Sequence, residues 1–119
     1  MKIGDLAERT GVPTRMIRYY ESQGLLTPER GDNGYRLYSD DDVARVRRIR
    51  NHVAAGLPTR LIRVVFEMEK PTWTQACSRD FADMLTEEVA SLDERIACLS
   101  ASRETLRDFL ANARVAADA

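Results

Sequence analysis

Ile3, Leu6, Ala7 and Val12 place apolar groups at helical spacing and Gly11 follows as a stop, so residues 4–10 are predicted to form a short first helix. Pro13 and Thr14 open a second helix, from about Thr14 to Gln23, which turns Ile17 and Tyr20 inward and ends at Gly24. Two short helices joined by a tight Gly-containing turn make a helix-turn-helix candidate. The helical period then lapses from Thr27 to Tyr38. Pro28 and the turn residues Asp32, Asn33 and Gly34 precede Tyr35, Arg36, Leu37 and Tyr38, which read as a strand, and Asn33-Gly34 signals a hairpin. A hairpin directly after a helix-turn-helix is a wing.

Ser39 with Asp42 three residues later resembles a capping box, and Asp40 and Asp41 add favourable charge at a helix start, so a third helix is predicted over about 40–55, stopping at Gly56. Val43, Val46, Ile49 and Val53 form its inward stripe, while Arg45, Arg47, Arg48 and Arg50 take the other faces. Pro58 and Thr59 begin a fourth helix with Leu61, Ile62, Val65 and Phe66 inward, ended by Pro71. Beyond it the period changes. Leu85, Val89, Leu92, Ile96, Leu99, Arg103, Leu106 and Leu110 are spaced 4, 3, 4, 3, 4, 3, 4, a heptad seam. A helix of roughly 35 residues would project about 50 Å, further than a small head can cover, so its seam calls for a second chain. The tail from Ala113 to Ala119 is expected to fray.

Charge divides the chain at the same place. Residues 1–70 carry 13 Lys/Arg against 10 Asp/Glu, whereas residues 71–119 carry 5 against 9, so the first part suits a polyanion and the second does not. With 119 residues there is room for one modest core and an appended element. No apolar run approaches the roughly 18 residues of a membrane span, and the polar start lacks a signal-peptide pattern, so no membrane partner is expected and the cytoplasm is the expected location. Cys77 and Cys98 share no CxxC or Cys/His spacing, which argues against a disulfide framework or a zinc module.

On the second helix, turning Ile17 and Tyr20 inward leaves Thr14, Arg15, Arg18 and Tyr19 outside. An exposed first turn bearing Arg and Thr is what base-edge readout in a major groove requires, and neighbouring Arg and Tyr hold phosphates. A solvated charged face is the bland alternative for an isolated helix; the adjacent wing, with Arg30, Tyr35, Arg36 and Tyr38 around a tight hairpin, favours nucleic acid. The two wing tyrosines are equally open to a place in the core.

The segments IGDLAERTGV, IRYYESQGLLTPER, GYRLYSDDDVARVRRIR and AAGLPTRLI resemble the MerR family of bacterial transcription regulators over about residues 3–66. The resemblance implies a mainly α fold: a winged helix-turn-helix DNA-binding domain in residues 1–70, then a long antiparallel coiled-coil dimerisation helix with a short tail in residues 71–119. It implies recognition-helix contacts on Thr14, Arg15, Arg18 and Tyr19 and wing contacts on Arg30, Tyr35, Arg36 and Tyr38. A homodimer on a promoter with two inverted half-sites is implied, acting on RNA polymerase through bent or untwisted double-stranded DNA. Activation and repression are both compatible with it. In the metal-sensing branch, cysteines stand near the start of the dimerisation helix and in a loop after its end; here Arg114 stands near the first loop position and the chain stops at Ala119, so no metal and no cofactor is expected.

Other residues stay open to two readings. Cys77 is either a thiol sensor or an inert small residue, and Cys98, about 31 Å further along a continuous helix, cannot pair with it within one chain. Trp73, with Met68, Phe81 and Met84, either lines a small ligand pocket or packs head against helix. His52, with no adjacent nucleophile, is a surface or packing residue, and no enzyme motif is present. Arg103 on the seam costs stability and is expected to fix register by pairing with a carboxylate of the opposite chain. The competing function is an architectural, excisionase-like DNA-bending factor, against which the long dimer helix argues.

Overall fold

The structure, a computed structural model, describes residues 1–118 apart from the side chains of Ala76, Cys77, Ala116 and Asp118, so the question raised by Cys77 lies outside the described residues. Five helices and one two-stranded antiparallel sheet follow in the order α1 (Ile3–Thr10), α2 (Thr14–Ser22), β1 (Glu29–Arg30), β2 (Arg36–Leu37), α3 (Asp40–Ala54), α4 (Thr59–Met68) and α5 (Gln75–Asp118). The chain forms two compact units, Met1–Trp73 and Thr74–Ala119.

In the first unit the inward stripes meet in one core. Leu6 of α1, Ile17 of α2, Leu25, Val46 and Ile49 of α3 and Ile62 of α4 are fully buried, with Val12, Tyr20, Val43 and Phe66 packed among them. Each fully buried aliphatic side chain contributes roughly 1.5–3 kcal/mol, which holds short helices that would be marginal alone. Two expectations for the stripe need correction. Val53, in the last turn of α3, is 39% exposed: the stripe that is buried ends at Ile49, and Leu57 after the helix packs against the core instead. On α4, Val64 is buried and Val65 only half-buried: Ile62 and Phe66, four apart, face the core, Leu61 and Val64 are buried on an adjacent flank, and Val65 lies at the edge of the stripe.

The arginines of α3 make joints within the head. Arg47 and Arg50 donate to the carbonyls of Arg9 (2.9 Å) and Thr10 (2.8 Å), satisfying the C-terminal end of α1. Arg45 donates from Nε to the Leu25 carbonyl at 2.6 Å and lies over the Phe66 ring, 4.0 Å from its centroid. Arg48 stacks on the same ring at 4.8 Å and pairs with Glu69. His52 meets Phe66 edge-on, a packing role. At the start of α3 the capping box forms: Ser39 N–H donates to Asp42 Oδ2 at 2.8 Å, and Asp42 N–H to Ser39 Oγ at 3.4 Å.

The second unit is one helix of 44 residues, about 66 Å long at 1.5 Å per residue. It exceeds the expected length because residues 75–118 contain neither Gly nor Pro, and it continues through the tail expected to fray. Its seam lies open: Val89, Ile96, Leu99, Leu106 and Leu110 are exposed, and Leu85 and Leu92 half-buried. Among the described residues, no helix is long and apolar enough to cross a membrane.

Candidate nucleic-acid interface

Burial of Ile17 and Tyr20 fixes the rotation of α2 about its axis. Arg15 and Arg18 are thereby fully on the outer face, Tyr19 is 43% exposed and Thr14 half-buried at the first turn. Neither Arg15 nor Arg18 has an ion pair among the described residues. An unpaired guanidinium on a helix face keeps all its donors for an acceptor from outside.

The wing is a hairpin in which Glu29 pairs with Leu37 and Arg30 with Arg36. Gly31 N–H donates to the Tyr35 carbonyl and Gly34 N–H to that of Gly31, both at 2.9 Å. Gly34 has φ +76° and, among the described residues, none other than glycine has positive φ, so the turn is a three-residue loop closed by a left-handed glycine. Asn33 thus has no positive φ, and within the turn Gly34 alone supplies the left-handed conformation. Tyr35 at the tip is 66% exposed, with the Lys2 ammonium 5.7 Å from its ring centroid. Arg30 is exposed and donates back to the Gly34 carbonyl at 3.1 Å.

Recognition helix and wing are joined through Glu21. Its carboxylate, on a side chain only 10% exposed, accepts from Arg36 Nε at 3.0 Å and from the Tyr38 hydroxyl. Arg36 is 45% exposed, so its outer guanidinium nitrogens still face solvent while the inner one is held. Tyr38 is placed differently from the rest of the expected contact set. It is 4% exposed, and its backbone exchanges hydrogen bonds with Met1 at 2.7 and 2.8 Å, so it supports the wing from beneath. Burial, then the hydrogen bond to Glu21 and that carboxylate's charge, push the Tyr38 phenol far above its usual range, which keeps it a neutral donor.

Between α2 and the wing lies a cleft lined by Arg18, Glu21, Arg30 and Arg36. A smaller one, about 210 Å³, is lined by Lys2, Ile3, Arg18, Tyr35 and Arg36. The only carboxylate lining either is Glu21, already engaged by two donors. The result is a surface with more cations than carboxylates and an exposed aromatic ring, suited to a phosphate backbone and to base edges beside it. Sequence reasoning missed Glu21 and Lys2. Glu21 carried a signal, since an acid beside inward Tyr20 on a basic helix requires a partner; Lys2 carried none. Among the described residues no group of three or more His, Cys, Asp or Glu is arranged to hold a metal ion.

Residues 1–69 match the model of the MerR HTH family regulatory protein. The chain is 35% identical to the HTH-type transcriptional regulator HmrR of Rhizobium leguminosarum bv. viciae over 110 residues, 92% of this chain and 84% of that one. Among solved structures it is similar to the transcription regulator PbrR691 from Ralstonia metallidurans CH34, determined in complex with lead(II), with TM-score 0.64, 25% identity, and coverage of 91% of this chain and 84% of that one. It shares its fold with HiNmlR, a MerR family regulator lacking the sensor domain and solved bound to promoter DNA, with TM-score 0.65, 18% identity, and coverage of 91% and 78%.

Proposed function

The chain belongs to the MerR HTH family of regulatory proteins and is a DNA-binding transcriptional regulator, and from that premise we propose that it works as a homodimer on an inverted-repeat promoter operator, distorting the DNA on which RNA polymerase acts. The observation that supports this most directly is the joint of Arg36 and Tyr38 to Glu21, which presents α2 and the wing as one rigid cationic surface. In this reading Arg15, Arg18, Thr14 and Tyr19 enter a major groove, and Lys2, Arg30, Tyr35 and Arg36 follow the flanking backbone. Tyr38 positions the wing and does not itself touch DNA. Two such heads, joined through the seam of α5, read two half-sites whose spacing the dimer imposes, and the intervening DNA must adapt its twist and bend. No catalytic role is assigned; the named relatives are regulators.

The test is a footprint of the purified chain on the DNA upstream of its own gene, with the molecular mass measured by light scattering in the same buffer. A dimer protecting an inverted repeat across the promoter is the expected result. A dimer without sequence preference at moderate salt would leave a DNA-bending role and overturn the operator reading. Arg18→Ala is expected to weaken operator binding by roughly 1–3 kcal/mol while leaving random DNA less affected; an equal loss on both would assign Arg18 to phosphate.

A further inference from the structure

The seam of α5 is apolar at seven of its eight positions, and the exception, Arg103, carries information about how a second copy can lie against it. Taking Val89, Ile96, Arg103 and Leu110 as the a positions and Leu85, Leu92, Leu99 and Leu106 as the d positions, Asp93 and Arg107 fall at e, and Glu88 and Arg95 at g. Arg103 is 59% exposed, and the carboxylate nearest to it is that of Glu104, 3.9 Å away, itself 60% exposed and pointing off the seam. Such a contact contributes little. Asp93 is exposed and has no ion pair among the described residues.

We infer that Arg103 of one copy and Asp93 of a second set both the direction and the register in which two α5 helices pair; this rests on the homodimer reading above. In a parallel pair, Arg103 would face Arg103 across the core, and Glu88 would face Asp93 on both flanks, so every charged contact would be repulsive. In an antiparallel pair that uses the whole seam, Leu85 meets Leu110 of the second copy, Val89 meets Leu106, Leu92 meets Arg103 and Ile96 meets Leu99. Side chains at a lean toward the e flank. There, Asp93 of the second copy comes about one residue, or 1.5 Å along the axis, from level with Arg103. Arg107 lies one turn further along the same flank and adds a second cation. Glu88 lies on the other flank and is already held by Arg95 at 3.2 Å.

Slipping the antiparallel pair by one heptad in either direction replaces Asp93 with Thr86 or Ser100, both neutral, and exposes apolar positions at the ends. Only the full register therefore gives the buried guanidinium a carboxylate. The same charge makes a third chain's seam, lacking an acid at the matching flank, a poor substitute for a second copy of this one.

The experiment uses the full chain with Cys77→Ser and Cys98→Ser and a spin label on Thr105→Cys, an outward position. In the full register the two labels are offset along the axis by about 22 Å, in the slipped registers by about 33 or about 12 Å, and in a parallel pair by about zero. The expected distance is that of the full register. Arg103→Asp and Asp93→Arg alone are each expected to raise the dimer dissociation constant about tenfold or more and to broaden the distance distribution, and the two together to restore both. Circular dichroism confirms that each variant is helical. A dimer with a slipped or parallel distance, or one that the single substitutions change less than twofold, overturns the inference and leaves the homodimer standing. A monomer at every concentration overturns both.

Discussion

Glu21 is the residue on which the interface depends most, though its carboxylate is taken up by Arg36 and Tyr38 within the protein. Replacing it with Ala removes the acceptor of a buried phenol and releases Arg36, and the unsatisfied hydroxyl costs roughly 1–3 kcal/mol. Glu21→Gln keeps an acceptor for Tyr38 and is expected to retain more of the stability, although both variants lose DNA affinity because Arg36 is no longer held by charge. Urea unfolding beside binding isotherms separates the two effects; equal stability losses for Gln and Ala would show that Tyr38 is satisfied another way. Tyr38 gives the head an alkaline limit. Its folded-state pKa lies above the ordinary 10.0, so between the two values the folded state binds more protons than the unfolded one. Stability is then level up to about pH 10 and falls as pH rises beyond it. Tyr20, raised by burial and partly offset by Arg50, acts in the same direction. Tyr38→Phe is expected to flatten that fall, read as urea midpoints over about pH 8–11. The outward set on α2 was legible because Ile17 and Tyr20 fix the helix rotation, whereas for Tyr38 the sequence leaves core and contact both open: its burial depends on Met1 and Glu21, distant along the chain.

The wing turn and the helix ends show which local signals suffice for an element. At Gly34 an added Cβ would meet nothing within 4 Å, so the only penalty for a side chain is the left-handed backbone at φ +76°. Gly34→Ala is accordingly expected to cost about 1–2 kcal/mol, and Gly34→Asn clearly less, since Asn tolerates that conformation. Equal losses for the two would mean that the turn rearranges. The capping box at Ser39 and the hairpin position were readable because each is settled within a few residues. The roles of Arg45, Arg47, Arg48 and Arg50 were not. A cation on an outer helical face reads as solvated or as DNA-facing, and only the placement of α1 and α4 beside α3 turns these four into caps and ring contacts. Arg47 and Arg50 reach carbonyls 38 and 40 residues away.

Two heads acting together have a signature in salt dependence. Each phosphate contact contributes about −0.9 to the slope of log K against log salt on duplex DNA, so loss of one cation from each head of a dimer changes the slope by about 1.8, against about 0.9 for a single head. Lys2→Ala is therefore expected to reduce the operator slope by about 1.8, measured by fluorescence anisotropy at several salt concentrations. A change near 0.9 would mean that one head binds at a time, and no change would remove Lys2 from the contact set.

Helical period, glycine stops, the Ser39 cap and the heptad seam each act along a short stretch of backbone or repeat at a constant interval, so they are written in the order of the residues. From them follow the helices, the wing, the outward face of α2 and the unpartnered stripe of α5. Pairings between elements have no such local trace. Glu21 with Arg36 and Tyr38, Arg50 with the end of α1 and Met1 with the wing are chosen by distance in space, after burial of the core has set which flanks face one another. Buried polar groups then take whatever partner that packing leaves within hydrogen-bond reach, because an unsatisfied one costs more than the bond itself contributes.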